Sequence, residues 1–386
     1  MSFGGYMKYI PYGHQTIDDQ DIKSVENVLR SDWLTTGPQV PAFERAITDY
    51  VGCRDAIAVN SGTSALDIAV QSLDLPKRSE VITTPFTFAA TSNALLYNGL
   101  TPVYADIEKE TRNIDPDQIR KKITPRTKAI LFVDYAGQPC RIDEIREIAS
   151  EHDLALIEDA CHAFGASYQG KKIGSFAADM TVFSFHPVKP ITTGEGGAVV
   201  TNDPDLGKKM RLLRTHGIDK DSRSLFGSDA EWAYDMVDLG RNYRMTDIQA
   251  ALGISQMKKL DVFIAKRNKI ARMYTELLEN VSRIEIPKTE AGILHGWHLY
   301  TILLKTINRN TFFASLKKQG IGVNVHYIPT YHFSYYRRNV PVNPKEYPVT
   351  EDVFKRIITI PLSPSLTEEE VLYVAGCIRK ECEHYS

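Results

Sequence analysis

Between about residues 55 and 216 short apolar runs alternate with stretches of helical periodicity, and this alternation restricts the fold more than any other feature of the chain. The runs DAIAVN, EVITT, TPVYAD, KAILFVDY, LALIEDA, MTVFSF and GAVVTND have strand length. The intervening TSALDIAVQSL, FAATSNALLYNG, DPDQIRKKI and RIDEIREIAS, and the following DLGKKMRLLRTHG, have helical patterning. Such alternation predicts an α/β domain with a mainly parallel sheet covered by helices. MTVFSF and GAVVTND have no helix between them, which predicts one antiparallel edge. Residues 245–280 read as two helices, the second bridging to another unit. That unit contains a strand (HLYTILLK), a helix (NRNTFFASLKKQG), a strand (GVNVHY) and a last helix (TEEEVLYVAGCIRKECE). The expected division is a large domain with its N-terminal segment over 1–258 and a small α+β domain over 259–386.

Composition narrows the function by exclusion. The formal charge is −2, spread without long runs of one sign, so no basic nucleic-acid surface or membrane-binding patch is expected. The apolar runs are too short to cross a bilayer, and the opening MSFGGYMKYIPYG lacks the apolar core of a signal peptide. A cytoplasmic location is expected, and Met7 could be the natural start. The five cysteines, Cys53, Cys140, Cys161, Cys377 and Cys382, show no metal-ligand spacing, so reduced thiols and no metal are expected.

The stretch MTVFSFHPVKPITTGEGGAVV (180–200) places Lys189 between two prolines. Pro187 and Pro190 fix their own φ and push His186 and Lys189 towards extended backbone, so the lysine sits on a stiff loop. LALIEDACHAFGA ends an apolar strand with Asp159, at the sheet edge where ligands gather. VNSGTSALDIAV joins a strand to a helix through Ser61-Gly62-Thr63-Ser64, where free N–H groups and hydroxyls can hold a phosphate, and Ser184 could add a donor. A lysine, a strand-end carboxylate and a phosphate cradle fit one cofactor, pyridoxal 5′-phosphate (PLP). In that reading Lys189 forms the Schiff base, and Asp159 keeps the ring nitrogen protonated by raising its pKa. Asp134 ends another strand and either faces this site or serves the AGQP turn. His186 is read as structural.

The order VNSGTSAL, TPFTFAATSNAL, NIDPD, AGQP, LIEDACHAFGA, FSFHPVKPITTGEGG and GRNYRMTDIQAALGISQMKKLD resembles the DegT/StrS family of sugar aminotransferases, from about residue 10 to the C-terminus. The resemblance implies the aspartate-aminotransferase fold (PLP fold type I) and a homodimer with shared active sites. It implies Lys189 as the Schiff-base lysine, Asp159 at the ring nitrogen, His162 near the ring hydroxyl and Phe88 stacked on the ring. Gly62, Thr63, Ser64 and Ser184 match phosphate contacts, and Asn242 matches an asparagine reaching the phosphate from the other subunit. Tyr12, Trp33, Leu34, Thr35, Thr36, His326 and Tyr327 resemble sugar-nucleotide contacts. No arginine is assigned to the donor carboxylate, although Arg214 and Arg244 are candidates. The forms SFHPVKPITTGEGG, IPYGHQTIDDQDI and SDWLTTGP resemble the branch that transfers an amino group from L-glutamate to C4 of a UDP-linked 4-keto-6-deoxy amino sugar in pseudaminic acid synthesis, with the bacillosamine type as alternative. Members that carry histidine in place of the lysine dehydrate sugars; Lys189 therefore favours transamination. A PLP-dependent lyase or dehydratase and a non-catalytic sensor are the rival readings.

Overall fold

The computed structural model describes residues 9–219 and 232–384; Met7 lies outside them. Seven strands form the main sheet: β1 (Asp55–Val59), β2 (Glu80–Thr83), β3 (Thr101–Tyr104), β4 (Thr127–Val133), β5 (Ala155–Asp159), β6 (Met180–Ser184) and β7 (Gly197–Thr201). Their order across the sheet is β1-β7-β6-β5-β4-β2-β3. All lateral pairs are parallel except those made by β7, which runs antiparallel to both β1 and β6. The antiparallel strand is therefore interior, not the edge that the missing helix predicts. β6 and β7 form a hairpin, but β1 closes over the far side of β7 and becomes the edge itself.

Both faces of the sheet are covered, which explains why its strands read as continuous apolar runs. Ala56, Ala58, Ile130 and Phe132 face one core, shared with helix α2 (Gln39–Val51), which follows α1 (Asp19–Leu29), and with the helix Ile142–His152. Their neighbours Ile57, Val59, Ala129 and Leu131 face the other, shared with α3 (Gly62–Ser72), α4 (Ala89–Tyr97) and α5 (Pro204–Leu213). After α6 (Asp247–Met257), the long α7 (Leu260–Leu278) buries Leu260, Phe263 and Ile264 in the first core. Its later turns bury Ile270, Tyr274 and Leu278 in a third core with Ile10, and this 3–4-residue spacing keeps one stripe apolar along its length.

That third core belongs to a three-stranded antiparallel sheet, β8 (Ile284–Glu285), β9 (Tyr300–Leu304) and β10 (Ile357–Ile360), with helices α8 (Arg309–Lys318) and α9 (Glu368–Glu383). The expected strand GVNVHY does not form. Asn324 exchanges backbone hydrogen bonds with Thr359 of β10 at a single point, and its side-chain oxygen then takes the Val325 N–H at 2.8 Å. A local side-chain acceptor replaces the ladder there, and the chain turns away towards a cleft.

Candidate active site

A cleft of about 630 Å³ opens at the carboxyl ends of β4, β5 and β6, where Val133, Asp159 and Ser184 reach its wall. The β6–β7 loop brings Lys189, and the start of α3 brings Ser61, Gly62 and Thr63. Phe88, His162, Tyr12, His326 and Tyr327 complete the wall. Residues scattered over more than 300 positions thus meet in one place, on the edge that parallel sheets use for ligands.

The start of α3 is packed in a way that suits an anion. A Cβ at Gly62 would meet Ser184 Cβ at 2.8 Å, so only glycine lets the helix approach β6 this closely. Ser61 caps the helix by accepting the Ser64 N–H at 3.1 Å, and the Ser64 hydroxyl is spent on Asn60 at 2.6 Å. Ser64 therefore does not face the cleft, contrary to the motif reading. Thr63 does, beside the N–H groups that open the first turn of the helix, where an anion is favoured.

Asp159 is 4% exposed. Thr91 Oγ1 donates to its Oδ2 at 2.8 Å, Thr87 supports Thr91 at 2.8 Å, and the Cys161 N–H reaches Oδ1 at 3.3 Å. The sequence reading missed Thr91, although it lies inside the quoted TFAATSNAL. It also missed His298, whose Nε2 lies 3.5 Å from Lys189 Nζ and whose buried Nδ1 has no partner among the described residues. A histidine just ahead of a buried strand has no distinguishing sequence signal.

Burial lowers the Lys189 pKa; Cys161 and Asp159 oppose this, while the Arg267 charge adds to it. Burial also holds His162 and His298 well below the usual histidine range and brings His326 down to about 4, with the Lys189 charge contributing in each case. All three rings are neutral at pH 7. The Ala136 N–H donates to His162 Nδ1 at 3.2 Å, so the ring proton sits on Nε2 and donates to Tyr327 Oη at 2.9 Å. His162 is thereby fixed in one tautomer, with both nitrogens engaged.

Other expectations resolve differently. Phe88, expected to stack on the ring, lines the cleft and is 61% exposed. His186 lines the cleft, beyond the structural part assigned to it. Trp33, Leu34, Thr35 and Thr36 are exposed and outside the cleft, because Asp247 takes the N–H groups of Gly37, Gln39 and Val40 and holds this loop against α6. Asn242 is likewise exposed and away from this chain's cleft. Arg214 is withdrawn as a carboxylate ligand, since it donates to Glu44 at 2.6 Å and to the Ala58 carbonyl at 2.7 Å. Arg244 does not reach the cleft either. No cluster of three or more metal-ligating side chains occurs among the described residues, and no helix there is long and apolar enough to cross a membrane.

Asp134 serves the turn, accepting the Cys140 N–H at 2.9 Å. Its Oδ2 and the Oε1 of Glu158 are both buried without a donor. Burial raises Asp134 to about 7, with the Asp159 charge adding to this and the bonds to Cys140 and Glu158 opposing it; burial and then the Asp134 charge lift Glu158 well above the carboxylate range, so the pair holds a proton. A folded-state pKa above the unfolded value contributes stability that is complete below the unfolded pKa and is lost as pH rises through the folded one. Asp134→Asn supplies the missing donor without a titrating proton. Its thermal stability relative to the native chain should therefore rise between pH 5 and 8, by roughly 1.4 kcal/mol per unit of pKa shift removed. A difference that stays flat with pH would show that the pair is not protonated.

The profile of the DegT/DnrJ/EryC1/StrS aminotransferase family matches residues 15–379. An uncharacterised protein of Methanocaldococcus jannaschii is 42% identical over 96% of this chain and 97% of its own length. The UDP-4-amino-4,6-dideoxy-N-acetyl-β-L-altrosamine transaminase of Campylobacter jejuni serotype O:23/36 is 43% identical over 85% of this chain and 86% of its own length. Among solved structures, PseC of Helicobacter pylori, an aminotransferase of pseudaminic acid biosynthesis, superposes with a TM-score of 0.91 at 36% identity, covering 98% of this chain and all of that one.

Proposed function

We infer the substrate from one premise: the chain belongs to the DegT/DnrJ/EryC1/StrS aminotransferase family and is a PLP-dependent sugar-nucleotide aminotransferase. The substrate proposed is UDP-2-acetamido-2,6-dideoxy-β-L-arabino-hex-4-ulose, aminated at C4, with L-glutamate as donor, in pseudaminic acid synthesis. The observation that carries this reading is the meeting of Lys189 and Asp159 with the aromatic wall of Tyr12, His326 and Tyr327 in one cleft, beside 43% identity to the Campylobacter transaminase.

PLP supplies an electron sink when bound. The chain supplies everything else. Lys189, with its pKa lowered, is the base that removes the donor Cα proton and returns a proton to sugar C4. Asp159, held by Thr91, would place a negative charge at the ring nitrogen, and Thr63, Ser184 and the first turn of α3 would hold the phosphate. His162 is fixed as a neutral donor and Phe88 offers a ring face.

Incubation with glutamate and a panel of 4-keto sugar nucleotides, with products read by mass spectrometry, tests the substrate. Epimers are told apart by buried hydrogen bonds that one satisfies and the other leaves unpaired, each costing about 1–3 kcal/mol. A preference of at least about tenfold in kcat/KM for the L-arabino substrate over the D-xylo epimer that leads to bacillosamine-type sugars is expected. Equal or reversed preference would overturn the substrate assignment, and a keto product without net amine transfer would favour a lyase.

A homodimer explains why Asn242 and the Trp33–Thr36 loop stand exposed outside this chain's cleft: in the proposed assembly they complete the partner's site. Each site then needs Lys189 from one copy and Asn242 from the other. A mixed dimer of Asn242→Ala with Lys189→Ala should regain one native site and about half of native turnover. Verified heterodimers without recovery would place both residues in a site from one chain.

A further inference from the structure

A second cleft, of about 940 Å³, lies between the turn at 108–113, the later half of α7 and the chain around β8. Arg112 forms part of its floor. This side chain is 4% exposed, and its backbone is left-handed at φ 64°, a conformation that non-glycine residues disfavour. The turn is nevertheless held firmly. The Glu108 N–H reaches the Asn113 carbonyl at 2.9 Å, and the Asn113 amide donates to the carbonyls of Gln138 and Pro139 at 3.0 and 3.1 Å.

The Arg112 guanidinium makes no hydrogen bond and no ion pair with any described residue, and its Nε is buried without an acceptor. Arg267, the other fully buried arginine among the described residues, also leaves its Nε without an acceptor, but its terminal nitrogens donate to the carbonyls of Trp297, Leu362 and Val188. Glu285 is near enough to favour the Arg112 charge but is taken by Arg356 at 2.8 Å. A buried charge without a partner is strongly unfavourable, so the geometry calls for an anion from outside.

The surroundings define that anion. Lys109, Arg112, Arg272, Lys288 and Lys305 line the cleft against Glu110, Glu276, Glu279 and Glu285, which leaves one net positive charge to balance one negative charge. Trp297, Ile286 and Pro287 contribute apolar surface to the lining of the same cleft. A flat carboxylate matches the guanidinium fork. We propose that this cleft is a second ligand site that takes a small organic monocarboxylate, its carboxylate on Arg112 and its apolar stem on Trp297, Ile286 and Pro287.

The test uses holoenzyme labelled with 5-fluorotryptophan, which carries three fluorine signals because the chain has three tryptophans. Trp297→Phe assigns the relevant one. Butyrate should shift it saturably, with neutral butyramide and inorganic phosphate at least about tenfold weaker. Arg112→Met should weaken butyrate at least about tenfold, and since Arg112 does not line the active-site cleft, carboxylate binding there is told apart. Ile286→Asp, on the cleft wall, gives a second variant: it should repel butyrate with the fold retained. No shift with butyrate, equal response to butyramide, tighter response to phosphate, or butyrate affinity unchanged in Arg112→Met or Ile286→Asp would each overturn the proposal.

Discussion

Lys189→Ala is expected to lose turnover by at least about 10⁴-fold while keeping the fold. A positioned base alone contributes ~10²–10⁴-fold, and in the proposed mechanism the same residue is the covalent anchor for the cofactor. Three features of its setting make the loss specific. The loop is held from below by Arg267, which donates to the Val188 carbonyl, and from within by the Lys189 N–H to His186 carbonyl bond at 2.9 Å; neither needs the Lys189 side chain. The amine is desolvated, so removing it relieves a cost and leaves thermal stability unchanged or raised. His298, 3.5 Å away, is neutral and well below the usual histidine range, so it is a poor substitute base. Steady-state turnover, a melting curve, and borohydride reduction, which should fix PLP to the native chain and not to the variant, check the expectation together. Turnover within tenfold of native would remove Lys189 from the mechanism.

The parts of this molecule legible in the sequence are those written in local patterns. The seven sheet strands are apolar runs bounded by turn residues, and α9 opens with a capping box between Thr367 and Glu370. Ser61-Gly62-Thr63 is readable because a helix N-terminus behind a strand is a local arrangement with a known anion preference. What escaped depends on contacts between distant segments. Nothing near Gly197 says that β1 will close beyond β7, so the antiparallel strand was expected at the edge. GVNVHY carries a strand's apolar alternation, and only the competing side chain of Asn324 and the course of the chain to the cleft prevent the ladder. Thr91 and His298 sit 68 and 109 residues from the groups they touch. Arg214 looked free because Glu44, its partner, lies 170 residues earlier.

Asp159→Asn is the sharper test, because it keeps shape and removes one charge. In the native site Oδ2 is fixed by Thr91 and Oδ1 takes the Cys161 N–H, so the carboxylate is oriented and almost fully buried before any ligand arrives. An amide can keep the Thr91 bond through its oxygen, but its NH₂ then opposes the Cys161 N–H, and it carries no charge with which to hold a proton on the ring nitrogen. Breaking a buried ion pair from one side costs about 3–5 kcal/mol, which corresponds to a donor half-reaction slower by ~10²–10⁴-fold. Cofactor should still be retained, since in the proposed site Thr63, Ser184 and the first turn of α3 would hold the phosphate independently. Thr91→Val separates orientation from charge: it removes one neutral donor and should slow the same step by about tenfold or less. Single-turnover reaction with glutamate, followed by the cofactor's absorbance, measures both. If Asp159→Asn reacts at the native rate, the carboxylate is only the cap of the turn at Cys161, and the negative charge at the ring nitrogen must come from elsewhere.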